Sequence, residues 1–284
     1  MRAGSLLPLT LILFGLSGSA FEAGSQIRPS RAQSLFAQST AKILQEVVQG
    51  DGVSYLLLDA RTGDLVATNW NDLDNPIPLG SLIKPFTALA YGERHEFRYP
   101  KHICHGRVDG CWLPHGHGTL DVTGAIAQSC NSYFRQLTED MTSADLIPAA
   151  ERFRFPPPAD PIRGAALAGL GNEWRIAPID LARAYLELLE RRNDAGVEEI
   201  IDGLKQSAKF GTGAAVGASL LHADALVKTG TAACTHNHHA PGDGFVVALA
   251  PSNDPKVLLL VREHGVPGAT AARFAGKVLH GIVD

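Results

Sequence analysis

Two continuous apolar runs near the C-terminal end constrain the fold of this chain more than any other feature. Residues 244–251 and 257–261 are almost entirely apolar, and turn-forming residues bound both runs. Runs of this kind are typical of β-strands that are buried on both faces. The apolar run at 225–227, which leads into Lys228, is expected to pair with them. The chain is therefore predicted to fold around a sheet that is covered on both sides.

A β-hairpin and several helices are predicted around this sheet. Residues 53–59 and 64–68 are strand-like and are separated by Ala60-Arg61-Thr62-Gly63, a turn that ends in glycine. With 284 residues and 45% hydrophobic content, the chain can bury the core of one large domain. Apolar residues recur at helical spacing in four segments, which are predicted to be helical: 40–48, 121–137, 178–191 and 269–283. In the second segment, Ser129 and Asn131 would lie at the end of one helix or on the link to another.

The overall charge argues against one class of partner. The formal net charge is -4 at pH 7, and the sequence pI is about 6.2. Domains that bind nucleic acid usually carry a clustered basic surface, which this composition does not indicate. We therefore expect no nucleic-acid partner.

The N-terminal segment predicts export. Arg2 precedes an apolar run at 6–16 and the small residues of 17–20, which is the pattern of a secretory signal cleaved after Ala20. The alternative is that residues 1–20 stay attached as a membrane anchor, which would be the only membrane contact. Residues 21–39 are rich in Ser, Gln and Ala and are predicted to be a linker. Both alternatives place a domain at 40–284 in the periplasm or another extracytoplasmic compartment.

Three short motifs contain residues suited to acyl transfer. Ser81 is followed by Lys84 at the predicted start of a helix, where one turn places both side chains on the same face. A serine hydroxyl is a weak nucleophile that needs an adjacent base. Lys84 can be that base only if burial or a neighbouring cation, for which Lys228 is the candidate, lowers its pKa. The other two motifs are Ser129-Cys130-Asn131 and Lys228-Thr229-Gly230-Thr231.

Ser-x-x-Lys, Ser-x-Asn and Lys-Thr-Gly, in this order, are the signature of penicillin-binding proteins and serine β-lactamases. Together with the stretches at 169–171 and 177–182, they make the chain resemble the penicillin-binding protein transpeptidase domain from about residue 53 to about residue 279. The resemblance implies an α/β (α+β) fold, with a central, mostly antiparallel sheet flanked by helices plus an all-helical subdomain. It also implies a serine-type D,D-transpeptidase/carboxypeptidase without a cofactor. Its partners would be peptidoglycan stem peptides, β-lactams and other cell-wall enzymes.

The same resemblance assigns roles to the motif residues. Ser81 would attack the D-Ala-D-Ala stem peptide and bind penicillin covalently, with Lys84 as its base. Ser129 would pass a proton to the leaving amine, and Asn131 would hold the acyl side chain of the donor. The Lys228 strand would pair with the substrate backbone. There Gly230 would leave room for close approach, while Thr229 and Thr231 would bind the substrate carboxylate. The backbone N–H groups of Ser81 and Thr231 would form the oxyanion hole.

Two other functions stay open at this point. The motifs lie 48 and 97 positions apart, between Ser81 and Ser129 and between Asn131 and Lys228. This compact spacing is closer to the oxacillinase-type β-lactamases and β-lactam sensors, which usually have an apolar residue where this chain has Asn131. The transpeptidase reading is favoured by Asn131 and by the stretch at 169–182. The second of the other functions is that of a catalytically idle domain that only binds peptidoglycan.

The four cysteines allow either a disulfide or a metal site. Cys104 and Cys111 flank a polar segment with two glycines, and in an exported chain we expect them to form a disulfide. The alternative is a metal site, because cysteines and histidines are clustered between positions 104 and 117. We expect no metal. The sequence leaves the state of Cys130 and Cys234 open. The residues on which the metal alternative depends are Cys104, His105, Cys111, His115 and His117.

Overall fold

The apolar runs of the sequence form the centre of a five-stranded antiparallel sheet in the computed structural model, which describes Met1 and residues 31–48, 52–234 and 242–284. The strand order is β2-β1-β9-β8-β7. Two further pairs, β3 with β6 and β4 with β5, lie outside this sheet. The strands are β1 (Val53–Asp59), β2 (Leu65–Thr68), β3 (Ile77–Pro78), β4 (His102–Cys104), β5 (Gly118–Leu120), β6 (Arg175–Ile176), β7 (Leu226–Ala232), β8 (Asp243–Ala250) and β9 (Val257–His264).

Helices cover both faces of the sheet, as the apolar strands require. Side chains alternate along a strand, so Leu56 and Leu58 of β1 pack into the core beneath α2–α7, whereas Leu57 packs into the core beneath α1 and α9. All eight residues of β8 are buried. The helices are α1 (Arg31–Val47), α2 (Lys84–Arg94), α3 (Val122–Ala127), α4 (Asn131–Leu137), α5 (Ile147–Phe153), α6 (Pro178–Glu190), α7 (Val197–Phe210), α8 (Ala214–Gly217) and α9 (Gly268–Val283).

Most of the predicted elements are confirmed. The hairpin of β1 and β2 turns at residues 60–63, and Asp59 Oδ1 accepts hydrogen bonds from the backbone N–H groups of Arg61 and Thr62. The helices predicted at 178–191 and 269–283 are α6 and α9. The predicted fold class, a mixed structure with a central antiparallel sheet and flanking helices, is therefore confirmed.

One predicted boundary is wrong. The helix predicted to begin at residue 40 begins at Arg31, so the last nine residues of the predicted linker are helical. Alanine, leucine and glutamine in that stretch are good helix formers, and the helix packs Phe36 and Leu44 against the sheet. The segment with helical spacing at 121–137 forms two helices, α3 and α4, joined by residues 128–130, so a link near Ser129 is found as expected. Residues 2–30, which include nearly all of the predicted signal segment, lie outside the described residues, and among those described no helix has the length and apolar character needed to cross a bilayer.

Candidate active site

Ser81 and Lys84 lie at the junction of a 3-10 turn (Gly80–Ile83) and helix α2. The backbone N–H of Lys84 donates to the carbonyl of Ser81. Because residues three apart eclipse one another in a 3-10 turn, both side chains face the same way. Ser81 is 9% exposed, whereas Lys84 is fully buried. This arrangement presents a partly accessible hydroxyl above a lysine that water does not reach.

The turn that carries Ser81 is held against strand β7 by close backbone packing. Gly80 has a φ of 56°, and a Cβ atom there would lie 2.2 Å from the carbonyl oxygen of Thr231. On the other side, the Tyr185 hydroxyl on α6 donates to the carbonyl of Leu82 at 2.6 Å. The positions of the first and third motifs relative to each other are therefore fixed by backbone contact.

Lys84 connects the first motif to the second. Its Nζ donates to the carbonyl of Ser129 at 2.9 Å and to Asn131 Oδ1 at 2.7 Å. Burial lowers the pKa of Lys84 to about 7, an effect that Cys130 and Cys111 oppose and Arg135 reinforces. A lysine with this pKa is partly unprotonated at neutral pH, as a general base must be.

Ser129 lies on the link between α3 and α4 in an unusual backbone conformation. Its φ is 49°, in the left-handed region that few residues other than glycine adopt. Its side chain accepts a hydrogen bond from Lys228 Nζ at 2.8 Å. Strained residues of this kind persist only where the surrounding structure holds them, and they are concentrated at functional sites. Ser129 thus lies between the two buried lysines.

Lys228 is as deeply buried as Lys84. Its Nζ donates to Ser129 Oγ and to the carbonyl of Thr229 at 2.7 Å. Burial lowers the pKa of Lys228 well below its ordinary value, and the charge of Lys84 lowers it further. We predicted that Lys228 would act on Lys84. In the structure the charge of Lys84 lowers the pKa of Lys228, whereas the cation that lowers the pKa of Lys84 is Arg135.

The three substrate-binding candidates on β7 differ in their surroundings. Thr229 Oγ1 donates to Thr212 Oγ1 at 2.6 Å, and Thr231 Oγ1 accepts from the backbone N–H of Gly268 at 3.0 Å. We predicted that Gly230 leaves room for the substrate, but a Cβ there would lie 2.5 Å from the carbonyl oxygen of Leu79. The absence of a side chain at Gly230 therefore accommodates the turn that precedes Ser81.

A cavity of about 400 Å³ opens over these motifs. Six of the predicted site residues line it: Ser81, Ser129, Asn131, Thr229, Gly230 and Thr231. Lys84 and Lys228 lie beneath this lining and reach it through their hydrogen bonds. The structure therefore brings all eight predicted catalytic and substrate-binding residues together at one cavity.

Sequence reasoning missed part of the cavity wall. Four of the missed residues come from distant segments and share no motif, so no sequence signal marked them. Leu170 is the exception, because it lies in the Gly-Leu-Gly stretch that supported the resemblance. The additional lining residues are Trp112, Leu170, Thr212, Pro267 and Ala269.

The predicted disulfide between Cys104 and Cys111 is not formed in the structure. Cys104, Cys111 and Cys130 are buried thiols that form no disulfide with one another. Cys104 Sγ and Cys111 Sγ lie 3.5 and 3.6 Å from His117 Nδ1, and Cys111 Sγ lies 3.9 Å from Cys130 Sγ. The two sulfurs therefore face a shared centre with two further side chains. His105 and His115, which were candidate ligands in the metal alternative, are exposed and lie outside this group.

The comparisons with known proteins agree with this site. Residues 53–190 match the family model of the penicillin binding protein transpeptidase domain, a range that includes the first two motifs but ends before Lys228. A search of curated proteins found no match. The fold resembles Pseudomonas aeruginosa PBP2 in complex with WCK 5153, with a TM-score of 0.74 and 17% identity over 87% of this chain and 74% of that chain.

Two further solved structures share the fold. The transpeptidase domain of Burkholderia pseudomallei penicillin-binding protein 3 has a TM-score of 0.68 and 18% identity, over 90% of this chain and 96% of that one. The D,D-transpeptidase domain of a peptidoglycan glycosyltransferase from Eggerthella lenta has a TM-score of 0.66 and 16% identity, over 86% and 80%. The family match over residues 53–190 and the shared fold thus confirm the resemblance to the penicillin-binding protein transpeptidase domain that the motifs predicted.

Proposed function

We propose that this protein is a serine acyl-transfer enzyme that acts on the D-Ala-D-Ala stem peptides of peptidoglycan outside the cytoplasm. The observation that carries the proposal is Lys84, a buried lysine with a pKa of about 7 that lies one turn from Ser81 and is hydrogen-bonded to the Ser-x-Asn motif. β-Lactams would bind at the same serine.

The proposed reaction begins with proton transfer from Ser81 to Lys84. A neutral amine has two N–H groups, which Ser129 O and Asn131 Oδ1 accept, and a lone pair that stays available for the serine proton. Ser81 Oγ then bonds to the carbonyl carbon of the penultimate D-alanine. The backbone N–H groups of Ser81 and Thr231 stabilise the oxyanion, each contributing about 3 kcal/mol.

Collapse of that intermediate breaks the peptide bond and releases D-alanine. Ser129 Oγ gives its proton to the leaving amine and is reprotonated through Lys228, whose Nζ is 2.8 Å away. The acyl group stays on Ser81 as an ester. An acceptor amine, in transpeptidation, or water, in carboxypeptidation, then attacks the ester, and its proton passes through Ser129 to Lys228, which had given one up. Lys84 returns its proton to the departing Ser81 oxygen, which regenerates the hydroxyl.

The environment of Lys84 favours this reaction over that of an oxacillinase-type β-lactamase or sensor. Those proteins use a carboxylated lysine next to an apolar residue. Here Lys84 Nζ donates to two oxygen atoms, and these would repel a carbamate. Asn131 occupies the position where the apolar residue would lie.

Fluorescent penicillin tests the proposal directly. The full chain should form a covalent adduct, detected as added mass on the intact protein, that persists for many minutes. Fast release with steady turnover of nitrocefin would assign the protein to the β-lactamases. No adduct at any penicillin concentration would favour the idle binding domain. Release of D-alanine from an N-acyl-D-Ala-D-Ala peptide would establish the substrate class.

Acylation by penicillin is expected to accelerate as the pH rises through about 7, the pKa to which burial lowers Lys84. Only the unprotonated amine can accept the serine proton, so its fraction sets the rate below the pKa. A lysine with its ordinary pKa of 10.5 would move this rise far into the alkaline range. Stopped-flow acylation at a series of pH values measures the profile, with circular dichroism as a control for folding. A flat profile across neutral pH would contradict the role of Lys84.

A further inference from the structure

Four side chains with metal-binding atoms converge beside the active site. They come from the end of β4, from the loop between β4 and β5, and from the N-terminus of α4. Their ligand atoms all lie within 4.8 Å of one another. We refer to them as the thiol–histidine cluster, which comprises Cys104, Cys111, His117 and Cys130.

Three of the distances between ligand atoms in this cluster match those of a tetrahedral metal site. Zinc binds thiolate sulfur at about 2.3 Å and imidazole nitrogen at about 2.0–2.1 Å, which in a tetrahedron separates two sulfurs by about 3.8 Å and a sulfur from a nitrogen by about 3.6 Å. The separation of Cys111 Sγ from Cys130 Sγ is 3.9 Å. His117 Nδ1 lies 3.5 Å from Cys104 Sγ and 3.6 Å from Cys111 Sγ.

The protein backbone holds these side chains in place without a metal. Cys104 pairs with Gly118 at the end of the two-stranded β4–β5 sheet, one residue after His117. The backbone N–H of Cys111 donates to the carbonyl of Gly106 at 3.0 Å. Cys130 caps α4, and its sulfur accepts from the backbone N–H of Tyr133 at 3.5 Å.

We propose that one zinc ion binds at the centre of the thiol–histidine cluster. Three thiolates and one neutral imidazole form a common structural zinc donor set, and four protein ligands complete a tetrahedron and leave no position for substrate. Binding would release the thiol protons to solvent. The complex would carry one net negative charge, because three thiolates surround a divalent ion.

A second group of potential ligands provides a contrast. Cys234, Asp243 and His264 also lie within 4.8 Å of one another. The carboxylate of Asp243, however, accepts a hydrogen bond from Arg262 Nε at 2.9 Å, so a cation already neutralises it. In the part of the chain that the structure describes, no Arg or Lys side chain donates a hydrogen bond to the four members of the thiol–histidine cluster.

The zinc would act on the active site through Cys130, the central residue of Ser129-Cys130-Asn131. This consequence rests on the proposed function. Ser129 has its strained φ of 49° immediately before Cys130, and Lys84 Nζ is bonded to both neighbours of Cys130. A metal that ties Cys130 to the β4–β5 loop would hold this geometry, and misplacement by about 1 Å can cost about 100-fold in rate. Cys130 is therefore assigned as a positioning residue.

Metal analysis of the full chain, purified in reductant without chelator, tests the site. Inductively coupled plasma mass spectrometry should find about one zinc per chain, with a loss of affinity of about 10- to 100-fold or more in Cys111→Ser and in His117→Ala. His115→Ala and Cys234→Ser are the matched controls and should retain the metal. Cobalt added to the metal-free wild type should give sulfur-to-cobalt charge-transfer absorption and tetrahedral visible bands, a readout that needs no variant to fold.

Three results would overturn the site: wild-type protein without zinc or a cobalt–thiolate spectrum, equal zinc in ligand and control variants, or a Cys104–Cys111 disulfide in the unreduced peptide map. Removal of zinc should slow acylation by about 10- to 100-fold, and added zinc should restore it. Bound zinc without any acylation would leave the site standing and remove the proposed function. Acylation by a protein that never holds zinc would remove the zinc site and leave the proposed function standing.

Discussion

Replacing Ser81 by alanine is expected to abolish covalent attachment of penicillin. The acyl-enzyme ester requires the Ser81 oxygen, and the other hydroxyls at the cavity are engaged: Ser129 with Lys228, and Thr229 with Thr212. The change removes one atom from a side chain at the wall of an open cavity, so we expect the protein to fold. Gel fluorescence after incubation with a fluorescent penicillin measures the loss, and peptide mapping of the wild-type adduct should place it on Ser81.

Ser252→Ala is the matched control for this prediction. Ser252 is 7% exposed, close to the 9% of Ser81, and it does not line the cavity over the motifs. The control should label like the wild type. If Ser81→Ala still formed a stable adduct, the nucleophile would be another residue, with Ser129 the first to test. If the variant lost labelling together with its thermal unfolding transition, the alternative Ser81→Cys would separate folding from chemistry.

The sequence was sufficient to predict the sheet and the main site, because both are encoded locally. Residues 244–250 are apolar at every position, and only a strand covered on both faces buries all of them. The three motifs of the candidate site are short, and their order along the chain made them recognisable. Ser129 and Asn131 were expected at the end of a helix or on a link. Ser129 lies on the link between α3 and α4, and Asn131 is the first residue of α4.

What the sequence could not predict depends on contacts between distant segments. Cys130 belongs to the second motif and Cys104 to a strand 26 positions earlier, and nothing in their spacing shows that α4 and β4 bring the two thiols together. Thr212 meets Thr229 only because the segment after α7 packs beside β7. At the N-terminal end, the composition of residues 31–39 suggested a linker, whereas packing of α1 on the sheet stabilises a helix.

Replacing Lys84 by methionine is expected to slow acylation by penicillin by about 10²- to 10⁴-fold, the contribution of a positioned general base. Methionine has a similar length and suits a site with no solvent exposure, so the fold should persist. Stopped-flow measurement of adduct formation gives the rate. The rise of the rate through pH 7 should disappear in the variant, because its titrating amine is gone.

A second substitution separates the base from a structural role. Lys84→Arg keeps hydrogen-bond donors for Ser129 O and Asn131 Oδ1, but a guanidinium stays protonated and cannot accept the serine proton. If Lys84 is the base, the arginine variant should be as slow as the methionine variant. If Lys84 only positions the second motif, the arginine variant should acylate at a rate within about tenfold of the wild type. Loss of a general base would instead slow acylation by about 10²- to 10⁴-fold. Lys101→Met, at an exposed lysine away from the cavity, controls for the loss of a positive charge and should acylate normally.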